Sequence, residues 1–375
     1  MAHKRLEAAI QASQQTEEKG NIDDFIATHR NSSLRAKSSG TVTLPLDRWG
    51  IYSVKFNSNG SHLAVGFGNG GIYIVECDKK TVVQNLANSS QRGLAVTALR
   101  YFRADDTHLM SAGANGQISL WQLNCGQPGT AKLVASLFEE GNEINALDLC
   151  HDGRFFATVG KDRHVRLYDG NTFKLYETFL APDPNALDET SVSSGHTQRV
   201  FALKFHPDDH NLFVTAGWDD CMKLWDKRFP KSVLKSINGS HVCGPGIDVR
   251  GNTILSGSWV VKNALQLWDL RSGTLTKNLG FPSDEQSGEY LYCAQFVSSS
   301  IAIAGGSGTN SACAIDFNQN KVVETYESSK PVLTVDARQS GRQVALAGID
   351  GNLQIHGIVW MLVPVTSLKV VCNTL

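Results

Sequence analysis

The sequence predicts an all-β fold of seven small antiparallel sheets set radially around one axis. Three observations carry that expectation. A phrase made of an apolar strand, a small-residue step, an Asn/Asp/Gly turn and a second strand occurs seven times. A further strand stands upstream of each copy, weakest before the fifth. The turns lie about 41 to 57 residues apart, and a period in the forties with several short strands is that of a propeller blade.

The first copy is "LAVGFGNGGIYIVE", residues 63 to 76. Gly66, Gly68 and Gly71 have the G-x-G-x-x-G spacing of a dinucleotide-binding turn, which needs a helix directly afterwards to hold the pyrophosphate. The chain continues "IYIVE", β-branched and alternating, so the glycines are read as the turn of a β-hairpin. The second to fourth copies are "LMSAGANGQISLW" from 109, "FATVGKDRHVRLY" from 156 and "FVTAGWDDCMKLW" from 213. The fifth, "LSGSWVVKNALQLW" from 255, has two extra residues in its turn; "IAGGSGTNSACAI" from 303 and "ALAGIDGNLQIHG" from 345 complete the set. The strands upstream are "IYSVKF" (51), "VTALRY" (96), "INALDL" (144), "VFALKF" (200), "LYCAQF" (291) and "VLTVDA" (332), with only "GPGIDV" (244) before the fifth copy.

Residues 194 to 226, "SGHTQRVFALKFHPDDHNLFVTAGWDDCMKLWD", and the second Trp-Asp pair in "LQLWDL" at 265 resemble the WD40-repeat family. The resemblance covers residues 41 to 358 and is weakest in copies one, six and seven. It implies a seven-bladed propeller in which blade four carries a hydrogen-bonded chain of His196, Asp219, Thr215 and Trp225. Loss of one member would strand the others at about 1–3 kcal/mol. Asn115 stands where Asp219 does, Tyr168 replaces the Trp beside Asp162, and Asp350 is paired with His356; those blades are expected to rely on packing instead.

Outside the repeats, residues 1 to 40 form an arm that suits a short helix with a narrow apolar stripe; it is read either as a largely solvated segment ordered only on a partner or as a docking helix that anchors the propeller to a larger assembly. "TVTLPL", 41 to 46, is expected to supply the outer strand of the last blade, because blade seven has three strands by residue 358. The apolar tail 359–375 fits no repeat position, and Pro364 limits it to an edge. Polar insertions at 181–195 and before blade six are long enough to bind.

Net charge is -1 with 19% charged residues, so no basic excess points to nucleic acid. No apolar stretch has the length of a membrane span or a secretory signal, and eight scattered cysteines include no C-x-x-C pair; a reduced, cytoplasmic protein is expected, with cytoskeletal, ciliary or nuclear placement as alternatives. No G-x-S-x-G, G-K-[ST] or H-E-x-x-H is present. "HPDDH" at 206–210 reads as a turn rather than a metal cluster. No catalytic residue, cofactor, metal or small-molecule substrate is expected. Other proteins, within a larger complex, are the expected partners.

What the resemblance implies about binding is positional. Side chains of the narrower face come from the second residue of each inner strand (Tyr52, Thr97, Asn145, Phe201, Tyr292, Leu333) and from the residue before the turn Asp (Lys161, Trp218, Ile349), with Trp259 nearby. Tyr52, Lys161, Phe201, Trp218, Trp259 and Tyr292 are the expected partner-binding set, aromatics giving contact area at low entropy cost; the alternative is that they plug the channel. The main expectation is a non-catalytic interaction scaffold. Two others stand beside it. "WDKR" with Arg228 and "WDLR" with Arg271 look like the box that meets the adaptor in substrate receptors of cullin–RING ubiquitin ligases, and a structural subunit of a cytoskeletal or ciliary assembly is the third.

Overall fold

The structure is a computed structural model that describes residues 40–42, 44, 49–86, 93–102, 106–123, 131–182, 195–229, 233–283, 287–338 and 340–358. Residues 1–39 of the arm, the tail 359–375 and most of the 181–195 insertion lie outside the described residues. Among the described residues there are 28 strands in seven four-stranded antiparallel sheets, and no helix. Six sheets follow chain order, as in blade one: Ile51–Phe56, His62–Phe67, Ile72–Glu76 and Thr81–Leu86. The seventh joins both ends of the ring. Gly40–Val42 pairs antiparallel with Leu353–Gly357, outside the strands Val332–Ala337 and Gln343–Gly348. Inner strands pack in cyclic order from blade one round to blade seven and back.

Burial patterns explain the order of strands. Second strands such as Leu212–Gly217 are buried from their second residue on, whereas outer strands are more exposed, half of the residues in Thr81–Leu86 and most of those in Lys132–Phe138. A sheet buried on both faces needs apolar residues on both, which is why these strands read as near-continuous apolar runs. The core is divided into seven clusters, each lying between two adjacent blades. Between blades three and four, for instance, Phe179, Phe205, Phe213 and Trp225 pack together, and Phe213 stacks on Trp225 with ring centroids 6.2 Å apart. Each fully buried Phe of this kind contributes about 1.5–3 kcal/mol.

The glycines of the first copy have a packing role. A Cβ on Gly66 would lie 2.8 Å from Val96 Cγ1 of blade two, and one on Gly68 would lie 2.2 Å from the Trp49 carbonyl oxygen. Gly70 has φ +86° in the turn, and Ile72–Glu76 follows as a strand. Close approach of a neighbouring side chain at Gly66 and of backbone at Gly68, not of a phosphate, is what excludes a side chain there.

A ring of charge lines the axis. The fifth residue of the inner strand is Lys55, Arg100, Asp148 and Lys204 in blades one to four and Gln295 and Asp336 in blades six and seven; in blade five, whose inner strand is shortened to Ile247–Arg250, Asp248 takes that place. Asp336 meets Lys55 Nζ at 2.6 Å and accepts Phe56 N–H at 2.7 Å; Asp148 meets Arg100 Nε at 2.6 Å and accepts Phe205 N–H at 2.8 Å. Asp248 accepts Phe296 N–H at 2.9 Å and pairs with Lys204 at 3.1 Å, and Gln295 donates to Asp336 at 3.1 Å. Each carboxylate therefore ties its blade to a backbone amide of another. Burial alone would raise the Asp148 carboxyl, but Arg100, Lys204 and the Phe205 N–H outweigh it and hold it below its usual range. All seven inner strands enclose a narrow axial cavity of about 60 Å³.

Candidate functional site

Two repeated backbone devices build one end of the ring. In six blades the ladder between the inner and second strands shifts register at the second inner-strand residue: Tyr52, Thr97, Asn145, Phe201, Tyr292 and Leu333. A bulge leaves that residue unpaired and re-aims its side chain. In six blades the residue after the small step then donates its N–H to the carbonyl just before the inner strand, and in blade five Trp259 donates to His241, in the irregular entry ahead of Ile247–Arg250. The pairs are Gly68 to Gly50, Ala114 to Ala95, Lys161 to Glu143, Trp218 to Arg199, Trp259 to His241, Ser307 to Tyr290 and Ile349 to Pro331. These bonds, 2.7 to 3.3 Å long, hold the side chains of both partners at the same end of every blade.

There the structure places a cavity of about 480 Å³, and Tyr52, Lys161, Phe201, Trp218, Trp259 and Tyr292 all line it. Thr97, Asn145 and Leu333 join them; Ile349 does not. The wall is predominantly apolar. Phe201 and Trp218 are in contact with ring centroids 5.0 Å apart, and Trp259 packs on Tyr290 at 4.9 Å. Not every member projects as the sequence suggests. Tyr292 is only 7% exposed and Leu333 9%, so they form the floor. Thr97 donates to the carbonyl of Ile144 at 2.7 Å and Asn145 to that of Val200 at 2.7 Å, so these two brace adjacent blades. Burial raises the Tyr52 and Tyr292 hydroxyls above their ordinary value.

Several wall residues were missed in the sequence. Arg199 and Glu143 stand immediately before inner strands, a position the hydrophobic pattern does not mark, and His241 and Cys243 sit in the irregular entry to blade five. Glu143 accepts from Lys161 Nζ at 2.7 Å and from Arg199 Nη2. Burial alone would raise the Glu143 carboxyl, but the two cations outweigh it and lower it. The Arg199 guanidinium lies over the Phe201 ring at 5.6 Å. The Trp218 indole N–H donates to Cys243 Sγ at 3.0 Å, and His241 Nδ1 is 2.6 Å from Asp220.

Beneath this surface blade four contains a hydrogen-bonded chain of four residues. Trp225 Nε1–H donates to Thr215 Oγ1 at 2.7 Å, Thr215 lies 2.6 Å from His196 Nε2, and His196 Nδ1 is 2.9 Å from Asp219. Only one proton arrangement satisfies every group: indole to hydroxyl, hydroxyl to Nε2, Nδ1–H to carboxylate. That arrangement needs a neutral imidazole. Burial pushes the His196 ring below 6.5, and the Asp219 carboxylate opposes this without reversing it.

Blade three corrects the expectation that it relies on packing. Its buried Glu139 carboxylate accepts from Thr158 Oγ1 at 2.5 Å, Tyr168 OH at 2.8 Å and Asn142 Nδ2 at 2.6 Å, and pairs with Arg166 at 3.2 Å. Glu139 precedes Thr158 by 19 residues, as His196 precedes Thr215 by 19. That equal spacing was a signal in the sequence. Blade two keeps a Trp121-to-Ser111 bond of 3.0 Å and blade five a Trp268-to-Ser256 bond of 2.9 Å. In blade seven the His356 ring bonds within its own strand, to Gln354, and packs on Tyr326.

The two arginines of the Trp-Asp-x-Arg segments follow third strands, at the end of the blades opposite the cavity. Arg228 grips the buried Asp226 carboxylate through Nε at 2.9 Å and Nη2 at 2.5 Å. Arg271 offers its carbonyl to Lys235 Nζ. In the 206–210 turn, His206 Nδ1 accepts the N–H groups of Asp208 and Asp209, and Nε2 faces the Gly251 carbonyl at 2.9 Å. Both ring nitrogens thus serve the turn.

Comparison with known proteins agrees with this geometry. The profile of the family described as "WD domain, G-beta repeat" matches residues 131–169 and 188–226, in blades two to four. Similar curated proteins include the periodic tryptophan protein 2 homolog of Caenorhabditis elegans, 23% identical over 59% of this chain and 22% of its own length. Pre-mRNA-processing factor 19 of Oryza sativa subsp. japonica is 22% identical over 82% of this chain and 55% of its own length. Cell division cycle 20.4, cofactor of APC complex, of Arabidopsis thaliana is 23% identical over 62% and 49%. The chain spans 22% to 55% of the length of these relatives. With two matched repeats inside seven closed four-stranded blades, the chain is a WD40-repeat β-propeller.

Proposed function

We propose that the chain is a non-catalytic interaction subunit that holds partner proteins at the aromatic-lined cavity, with the closed ring as its rigid support. WD40 propellers generally bind other proteins within complexes, and one similar protein is named as a cofactor of the APC complex. The single observation that carries the reading is the gathering of Tyr52, Phe201, Trp218, Trp259 and Tyr292 around one cavity. Each sits at a backbone bulge or a turn bond of a kind repeated around the ring, so the surface is formed before a partner arrives and little ordering entropy is spent on binding.

The test is capture of partners from the native source by the full chain and by Phe201→Ala/Trp218→Ala. Both residues are only partly buried, so melting and circular dichroism of the double variant should stay near those of the parent. Loss of most partners with the fold intact supports the reading. An unchanged set of partners removes the cavity as the site. The position of Arg228, closed on Asp226 at the other end of the blades, does not favour the ligase-receptor alternative.

A further inference from the structure

We propose that the cavity receives an extended segment of a partner protein in which a bulky apolar side chain stands next to an aspartate or glutamate. The carboxylate would meet Arg199 and Lys161 while the apolar side chain rests on Phe201 and Trp218. This rests on the cavity being the partner site and adds the class of segment it takes.

Charge is the first argument. The cavity wall carries two cations, Lys161 and Arg199, against one carboxylate, Glu143. Each Glu143 oxygen is already used, Oε1 by Lys161 and Oε2 by Arg199, so a basic segment finds no carboxylate there without breaking a pair. The other titratable groups in the wall do not change this balance. His241 is held by Asp220, Cys243 takes the Trp218 N–H, and Tyr52 and Tyr292 have hydroxyls raised further into the neutral range by burial.

An unmet donor is the second argument. The Arg199 side chain is 13% exposed, and its Nε is buried without a hydrogen-bond partner. A buried N–H without an acceptor is costly, and a guanidinium fork takes a carboxylate through two parallel bonds. An arriving Asp or Glu supplies that acceptor. Geometry then sets the spacing. The Arg199 guanidinium is 5.6 Å from the Phe201 ring centre, and that ring lies 5.0 Å from Trp218. Residues in an extended chain advance about 3.3 Å each, so the acid and the apolar side chain must be immediate or next neighbours.

The probes are Gly/Ser-hosted peptides pairing Phe, Leu or Ala with Asp, Asn or Lys, titrated into the full chain by fluorescence anisotropy. Phe-Asp and Leu-Asp peptides should bind, and Asn or Lys in place of Asp, or Ala in place of Phe, should weaken binding at least tenfold. R199Q should do the same, and so should K161E, at a half-exposed side chain whose pair with Glu143 it breaks. Equal binding of Phe-Asn and Phe-Asp peptides, lost in W218A but not in R199Q or K161E, would overturn the acidic class and leave the cavity as the site. Absence of any Trp218-dependent binding across the set would overturn both.

Discussion

Replacing Thr215 by Val tests the buried hydrogen-bond chain without changing the volume of the core. Thr215 is 0% exposed, as is His196, and Trp225 is 2% exposed. Val fills the same space, so no cavity forms, but two buried groups lose their partners: the indole N–H at 2.7 Å and the imidazole Nε2 at 2.6 Å. At about 1–3 kcal/mol for each stranded group, a loss of about 3 kcal/mol is expected. Ser111→Ala in blade two strands one group, the Trp121 N–H, and should cost about 1–2 kcal/mol. The global readout is thermal melting, where 1 kcal/mol moves the midpoint by roughly 2 °C in a chain of this size. The local readout is hydrogen exchange at Thr197, whose amide donates to Asp219. Exchange there should speed up by about a hundredfold, since 1.4 kcal/mol is a factor of ten. Blade one should be unaffected. A Thr215→Val cost below about 1 kcal/mol, or one no larger than that of Ser111→Ala, would refute the claim that the four residues act as one unit.

Three further outcomes follow from other parts of the ring. Because His196 is buried neutral with its folded value below 6.5, its contribution is complete above that pH and is lost as pH falls through the folded value; melting points should drop below about pH 6.5 in the parent and less in His196→Gln. Asp148→Asn leaves Arg100 without its charged partner at 2.6 Å and should cost about 3 kcal/mol in denaturant unfolding. The parent, with Asp148 held below 3.8, should lose that stability only as pH falls below this value. Gly348→Ala would put a Cβ 1.9 Å from the Pro331 carbonyl oxygen, whereas a Cβ on Gly280 meets nothing within 4 Å; soluble yield and melting point should fall for the first and hold for the second.

The blades were legible because strands buried on both faces leave a period of apolar runs and glycine turns. The side-chain positions at one end were legible for the same reason: Tyr52, Phe201 and Tyr292 occupy one place in the repeat, and that place is the bulge. The sequence did not reveal what lies between repeats. Arg199 and Glu143 precede the strands, and their pairing joins blades 56 residues apart, beyond what local pattern reports. The axial ring of charge could have been read from the fifth inner-strand residues, but a comparison by hydrophobicity passes over Lys55, Asp148 and Asp336. Glu139 was missed because a carboxylate replaces an imidazole, with its 19-residue offset to the hydroxyl kept.

The most direct measurement is hydrogen exchange across the full chain, free and bound to a purified partner recovered by capture. Slowed exchange at 199–201, 217–220, 241–244 and 259–261, with the turns holding Arg228 and Arg271 unchanged, is the predicted result. Protection confined to those arginine turns or to the outer strands would contradict a partner site in the cavity.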